Sequence, residues 1–175
     1  MTGPGTLDWK TADPDLLADP VTAALAGWPH PDVLTAPIDP ALADTAAFCE
    51  HYRIELADSA NCVVIAGRRG ELTRYAACVV LATTRADVNG VARRELDVRK
   101  ASFAPVDAAV AATGMEYGGI TPIGLPAGWP VLVDARVAAA PRVVVGSGVR
   151  RSKLALPGSL LGQLPGAAVI EGLAR

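Results

Sequence analysis

Aromatic residues are scarce in this chain of 175 residues, at 5%. Its core must therefore be built from aliphatic side chains, and few rings remain to stack on a flat ligand. Lysine is scarcer still: Lys10, Lys100 and Lys153 are the only three. The two histidines, His30 and His51, lie away from every motif and read as surface or packing residues. Cys49, Cys62 and Cys78 form an odd set with no Cys-x-x-Cys pair, which excludes a disulfide framework and a zinc-ligand spacing. Reduced, mostly buried thiols are expected, with no metal and no cofactor. Cys49 and His51 stand two apart, and on a helix residues at that spacing do not face one another as nucleophile and base. Long apolar runs are missing too: those at Ala76–Ala82 and Val137–Ala140 are far too short to span a bilayer. No basic stretch followed by an apolar segment opens the chain. A soluble, cytoplasmic protein with no membrane partner is expected.

What is present is a hydrophobic share of 51% with 19% charged residues, enough for one well-filled domain. The net charge of −2 excludes coating nucleic acid by bulk charge and leaves no role on DNA. The charge is uneven, however. Met1 to Ala60 holds ten acids and two bases, whereas Asn61 to Arg175 holds eight acids and fourteen bases. The later part suits phosphate.

Residues 1–31, rich in proline and glycine, read as an N-terminal arm with a short helix between Asp15 and Ala26. Residues 32–175 read as the domain. A strand is expected over Asp32–Ile38, and a helix opened by Asp39–Pro40 runs to Tyr52. Asn61–Ala66 and Arg74–Thr83 are β-branched segments around Gly67–Gly70 and form a hairpin. Helices follow over Asp87–Leu96 and Pro105–Thr113, the second stopped by Gly114, with a strand at Val98–Phe103 between them. Beyond the punctuated stretch Gly118–Gly128 come strands at Pro130–Val133, Arg142–Val145 and Leu154–Leu156. A short helix after Pro157 and a strand at Ala167–Ile170 complete a mixed α/β pattern with no internal repeat.

The informative segment runs from Thr113 to Gly124. Its adjacent Gly118 and Gly119 expose backbone N–H groups and permit an approach that any Cβ would block, so an oxyanion or carbonyl can be held by main chain alone. The competing reading is a tight connection between helix and strand. The segment has neither the order of a phosphate loop nor the surroundings of a dinucleotide fingerprint.

Thr113–Gly114 followed by Gly118-Gly119-Ile120-Thr121-Pro122-Ile123-Gly124 resembles the TG…GG(I/V)(S/T)PxG signature of the YbaK/EbsC family, which includes free-standing aminoacyl-tRNA deacylases and the editing insertion of bacterial prolyl-tRNA synthetase. The resemblance extends through Arg99–Asp107, Val131–Asp134 and Val143–Gly148 to Leu160. It implies a single mixed α+β domain with a central mixed, barrel-like sheet flanked by helices. It also implies an ester hydrolase that edits mischarged tRNA, with a synthetase as a further partner. Gly118 and Gly119 would form the main-chain catalytic element. Ile120, Thr121, Pro122, Gly124, Lys100, Gly146 and Gly148 would meet the substrate, and Arg150 and Arg151 the RNA.

The chain departs from that pattern at two positions. Many members carry a lysine where Asn61 stands, and the bacterial Cys-tRNA deacylases carry an aspartate where Lys153 stands. The cation is expected to have moved across the cleft to Lys153, leaving Asn61 as a neutral donor and acceptor; otherwise Lys153 is an exposed strand lysine and Asn61 bonds its own backbone. Arg68–Arg69, Arg93–Arg94 and Arg99–Lys100 are further candidates for phosphate, and Tyr75 and Tyr117 for stacking on a terminal base. Ile120, Pro122, Ile123 and Leu125 are candidate pocket walls or core. Hydrolysis, a binding module that has lost hydrolysis, and a small-ester hydrolase unrelated to tRNA remain as three readings, which the residue at position 61 and activity on a short aminoacyl-adenosine would separate.

Overall fold

The computed structural model describes residues 4–175. Its elements are β1 (Lys10–Thr11), α1 (Asp19–Gly27), β2 (Leu34–Pro37), α2 (Thr45–Tyr52), β3 (Ala60–Arg69), β4 (Leu72–Leu81), α3 (Arg93–Glu95), β5 (Ala101–Phe103), α4 (Val106–Thr113), β6 (Val131–Asp134), α5 (Ala135–Ala138), β7 (Val143–Gly146), β8 (Ser152–Leu156), α6 (Gly158–Leu161) and β9 (Ala167–Ile170). The fold is the mixed α+β kind that the element pattern implies. Its strands form two sheets, an antiparallel one of order β1-β2-β8-β7 and a mixed one of order β5-β3-β4-β6-β9. They do not close into the expected barrel. Their only direct join among the described residues is a single bridge from Ser59, just before β3, to Val144 on β7.

Alternation along the strands explains the layering. Val79 of β4, Val143 and Val145 of β7, and Leu154 and Leu156 of β8 share one core between the sheets. The intervening residues face outward into two further clusters. Cys78 and Val80 pack under Leu96, Val98 and Leu173. Val144 and Ala155 pack with Phe48 and Cys49 of α2. Among the helices, Gly114 takes the left-handed conformation (φ 67°) that caps α4, as its glycine predicts.

Several expected elements are shorter than the sequence pattern suggests, for local reasons. The helix expected from Asp39 breaks into a 3-10 turn at Pro40–Leu42 and α2, because Asp44 adopts the extended conformation of an N-cap (ψ 134°). The helix expected over Asp87–Leu96 begins as a π-helical turn, Val88–Ala92, where the Asp87 carboxylate accepts from the Gly90 and Val91 amides. The β3–β4 hairpin reverses at Gly70 (φ 62°), so Arg68 and Arg69 lie on the strand rather than in the turn. Several of the described residues before Asp32 pack against the rest: β1 pairs with β2, Trp9 is buried, and Leu17, Ala18 and Val21 enter the inter-sheet core.

Candidate functional site

A cleft of about 400 Å³ opens over the junction of the two sheets. The approach to α2 and its first residue supply Ala43, Asp44 and Thr45, the residue before β3 and the first half of that strand supply Ser59 to Val64, and β7 and β8 supply Gly146 and Lys153. Phe103 and Val106 close one side, and Tyr117, Gly118 and Ile120 the other.

Lys153 is the chemically distinctive residue of this wall. All five residues of β8 are buried, since the strand is central in its sheet and covered on both faces. Its ammonium donates to the Ala43 carbonyl (3.1 Å) and lies 5.0 Å from the centroid of the Phe48 ring. Among the described residues no carboxylate pairs with it within salt-bridge distance. Burial lowers its pKa from 10.5 to about 8; the nearby Arg150 guanidinium acts in the same direction, and Cys49 and Asp44 oppose it. Beneath it, burial pushes the Cys49 thiol up, so the neighbouring sulfur stays protonated near neutrality.

Asn61 reaches the same cleft from the other sheet. Its Oδ1 accepts from Thr45 Oγ1 at 2.7 Å, which leaves the amide NH2 without a protein acceptor among the described residues. Asn61 thus bonds a side chain sixteen residues away rather than its own backbone, and Lys153 is buried rather than exposed.

The glycine loop divides its work. Gly119 is buried, its N–H donates to the Glu116 carbonyl (2.9 Å), and a Cβ there would meet the Val149 backbone at 2.7 Å. Its carbonyl accepts from the Gly148 N–H at 2.7 Å, and a Cβ on Gly146 would lie 2.5 Å from that same oxygen. Gly119, Gly146 and Gly148 therefore allow two loops to interlock, with Gly146 also facing the cleft. The amides of Gly118 and Ile120 have no protein acceptor among the described residues, and both residues line the cleft.

The remaining sequence candidates are scattered. Thr121 is fully buried with an unpartnered hydroxyl, and Ile123 is core. Pro122, Gly124 and Leu125 line a separate apolar hollow with Trp28 and Trp129. Lys100 lies in a different groove with Arg68 and Arg99. Arg150 bridges the cleft rim, donating to the carbonyls of Tyr117 and Pro40 (both 3.1 Å), while its N–H donates to Glu116 Oε2. Arg151 turns away to the Asp15 carbonyl. Tyr117 stands exposed at the cleft, whereas Tyr75 stacks on Trp129 elsewhere. Thr45, Ser59 and Phe48 were not foreseen; they join the site only through packing between distant segments, and no local pattern marks them.

The site thus combines, in an α+β domain, an open cleft, main-chain amides without protein acceptors among the described residues and one buried cation. A family model described as the aminoacyl-tRNA editing domain matches residues 39–162, and the chain belongs to that family. Among solved structures, a candidate trans-editing enzyme for prolyl-tRNA synthetase superposes with a TM-score of 0.75 at 20% identity, over 92% of this chain and 98% of that one. A structure from the computational grafting of linear epitopes on scaffold proteins also gives 0.75, at 22% identity, over 91% and 97%. A hypothetical protein gives 0.67 at 18% identity, over 79% and 86%. These likenesses establish the fold. No curated protein sequence matches the chain significantly.

Proposed function

We propose that this protein is a free-standing aminoacyl-tRNA deacylase that hydrolyses the ester of mischarged tRNA in the cytoplasm, taking its substrate after release from a synthetase. The observation that carries this is the Lys153 ammonium, buried in the cleft wall without a counter-ion and opposite the free amide of Asn61.

In this reading the aminoacyl ester enters with its carbonyl oxygen toward Lys153 and the amides of Gly118 and Ile120. Water adds to the carbonyl carbon, the C–O bond to the ribose breaks, and the proton from water passes to the departing ribose oxygen. The cation and the two amides stabilise the negative oxygen that forms; one such donor is typically worth about 100- to 1000-fold in rate. Asn61, held by Thr45, orients the ester or the water. The small apolar residues Ala43, Ala60, Val64 and Val144 fit a short amino-acid side chain and exclude a larger one by volume.

The test is a single-turnover deacylation panel of mischarged tRNAs. The wild type should hydrolyse at least one, Lys153→Ala should be slower by about 100-fold, and the wild-type rate should fall as pH rises through about 8, where Lys153 loses its proton. Undiminished hydrolysis by Lys153→Ala removes this mechanism. Binding of mischarged tRNA by the wild type with no hydrolysis across the panel favours a second reading, a module that kept the cleft but lost catalysis; the asparagine at position 61, where resembling proteins carry a lysine, supports it.

A further inference from the structure

Beyond the cleft, β3 and β5 continue into a second groove that the deacylation chemistry does not use. Arg68, Arg69, Arg93, Arg99 and Lys100 surround it, and Asp97 is the only acid lining it among the described residues. That carboxylate is already engaged by both Arg69 and Arg74. No carboxylate lies within salt-bridge distance of Arg68, Arg93, Arg99 or Lys100 among the described residues. The groove therefore presents uncompensated positive charge in a protein whose net charge is −2.

The clustering is built into the fold. A Cβ on Gly67 would lie 2.4 Å from Val98 Cγ2 and 2.8 Å from the Lys100 carbonyl, so glycine allows β3 to press against the segment carrying Arg99 and Lys100. Arg93 is held over the same place by the carbonyls of Asn89 (2.9 Å) and Arg99 (3.4 Å). The groove and the cleft also adjoin along β3 and β5. Val64 and Phe103 line the cleft, while Ala66 and Ser102, paired across the two strands, line the groove. Lys100 is three residues from Phe103, about 10 Å along an extended chain. Phe103, exposed by 66%, stands at the cleft rim nearest the groove, and Tyr117, exposed by 62%, at the opposite rim. Exposed rings beside a basic track are the arrangement that binds unpaired nucleotides.

We infer that this groove binds the phosphodiester backbone of the RNA acceptor end whose esterified 3′ sugar occupies the cleft. The inference rests on the deacylase reading for the identity of the RNA, and its test does not depend on hydrolysis. Uncharged tRNA is titrated by fluorescence anisotropy between 50 and 200 mM salt, with the full chain and with the triple variant Arg68→Ala, Arg99→Ala, Lys100→Ala. Each lost phosphate contact should make the slope of log affinity against log salt shallower by about 0.7 to 0.9, so the triple variant should lose about two units or more. Arg68→Glu, a single change at an exposed strand position, should weaken binding in the same direction and guards against misfolding of the triple variant. Circular dichroism establishes that both are folded. Wild-type affinity and slope in both folded variants overturn the inference. So does a loss confined to phosphatidylglycerol vesicles, which would make the groove a membrane contact. Hydrolysis with an unchanged slope removes the groove and keeps the deacylase; a slope lost in the variants without any hydrolysis by the wild type keeps the groove and removes the deacylase.

Discussion

Lys153→Met should make the protein more stable at pH 7 and less stable at pH 10. The ammonium is buried in β8, and its pKa falls from 10.5 to about 8 on folding, burial being the main cause. At 1.36 kcal/mol per unit, holding the charged form in this place costs the folded state about 3 kcal/mol. Because the unfolded chain binds the extra proton between pH 8 and 10.5, stability from this group rises with pH through that window, and the cost is complete below pH 8. Methionine removes the charge but leaves the Ala43 carbonyl without its donor, a loss of about 1 to 3 kcal/mol. The variant should therefore gain roughly 1 kcal/mol at pH 7. Between pH 7 and 10 the wild type should recover about 2 to 3 kcal/mol relative to the variant, and the two curves should cross. For a chain of this size that recovery is about 5 to 10 °C in melting temperature. Thermal unfolding of both proteins by circular dichroism at intervals from pH 6 to 10 measures it. Other titrating groups cancel in the difference, so parallel curves would refute the account of Lys153 as an uncompensated buried cation.

Gly119→Ala should lower the unfolding free energy by about 1 to 3 kcal/mol, read from urea unfolding, since its Cβ meets the Val149 backbone at 2.7 Å, and should also distort the cleft wall that Gly118 and Ile120 form. Phe48→Ala, which removes a fully buried ring and the surface over which Lys153 lies, should cost about 3 to 5 kcal/mol in urea unfolding. Asn61→Lys brings a second cation into the cleft and lowers the Lys153 pKa further, so the alkaline fall in deacylation rate should move below pH 8. Asp134 carries an acid dependence. Burial resists its ionisation, but the Arg136 side chain, the Arg136 N–H and the Ala174 N–H outweigh that and hold the carboxyl below the ordinary carboxylate range. Its contribution is present above the unfolded pKa of about 4 and lost as pH falls through the folded value. Asp134→Asn should therefore flatten the acid limb of the stability curve, measured as urea midpoints from pH 2 to 6.

The parts that could be read from residue order are those whose causes are local. The runs Val63-Val64-Ile65 and Cys78-Val79-Val80 form the hairpin strands because β-branched side chains suit a pleated surface, although the turn falls at Gly70, where alone in that stretch φ is positive. Gly114 ends α4 because a left-handed cap favours glycine. The glycines make the segment from Thr113 to Gly124 stand out in the sequence, and the two adjacent ones differ in the structure: Gly118 lines the cleft with its amide unengaged, whereas Gly119 is packed. That Gly119 uses its amide on Glu116 and its missing side chain on Val149 depends on a loop thirty residues later.

Residue order alone determined the α+β class, the hairpin, the helix stops and the concentration of basic residues after Asn61, since each follows from propensity, turn chemistry or charge along adjacent positions. Tertiary structure alone decided that Lys153 is buried over Phe48 and bonded to a carbonyl 110 residues away, that Asn61 is held by Thr45, and that Lys100 belongs to a groove beside the cleft rather than to the cleft. Burial on both faces of β8 leaves no alternating pattern to read. The field that lowers the lysine's pKa arises only when α2, β3 and β8 pack together.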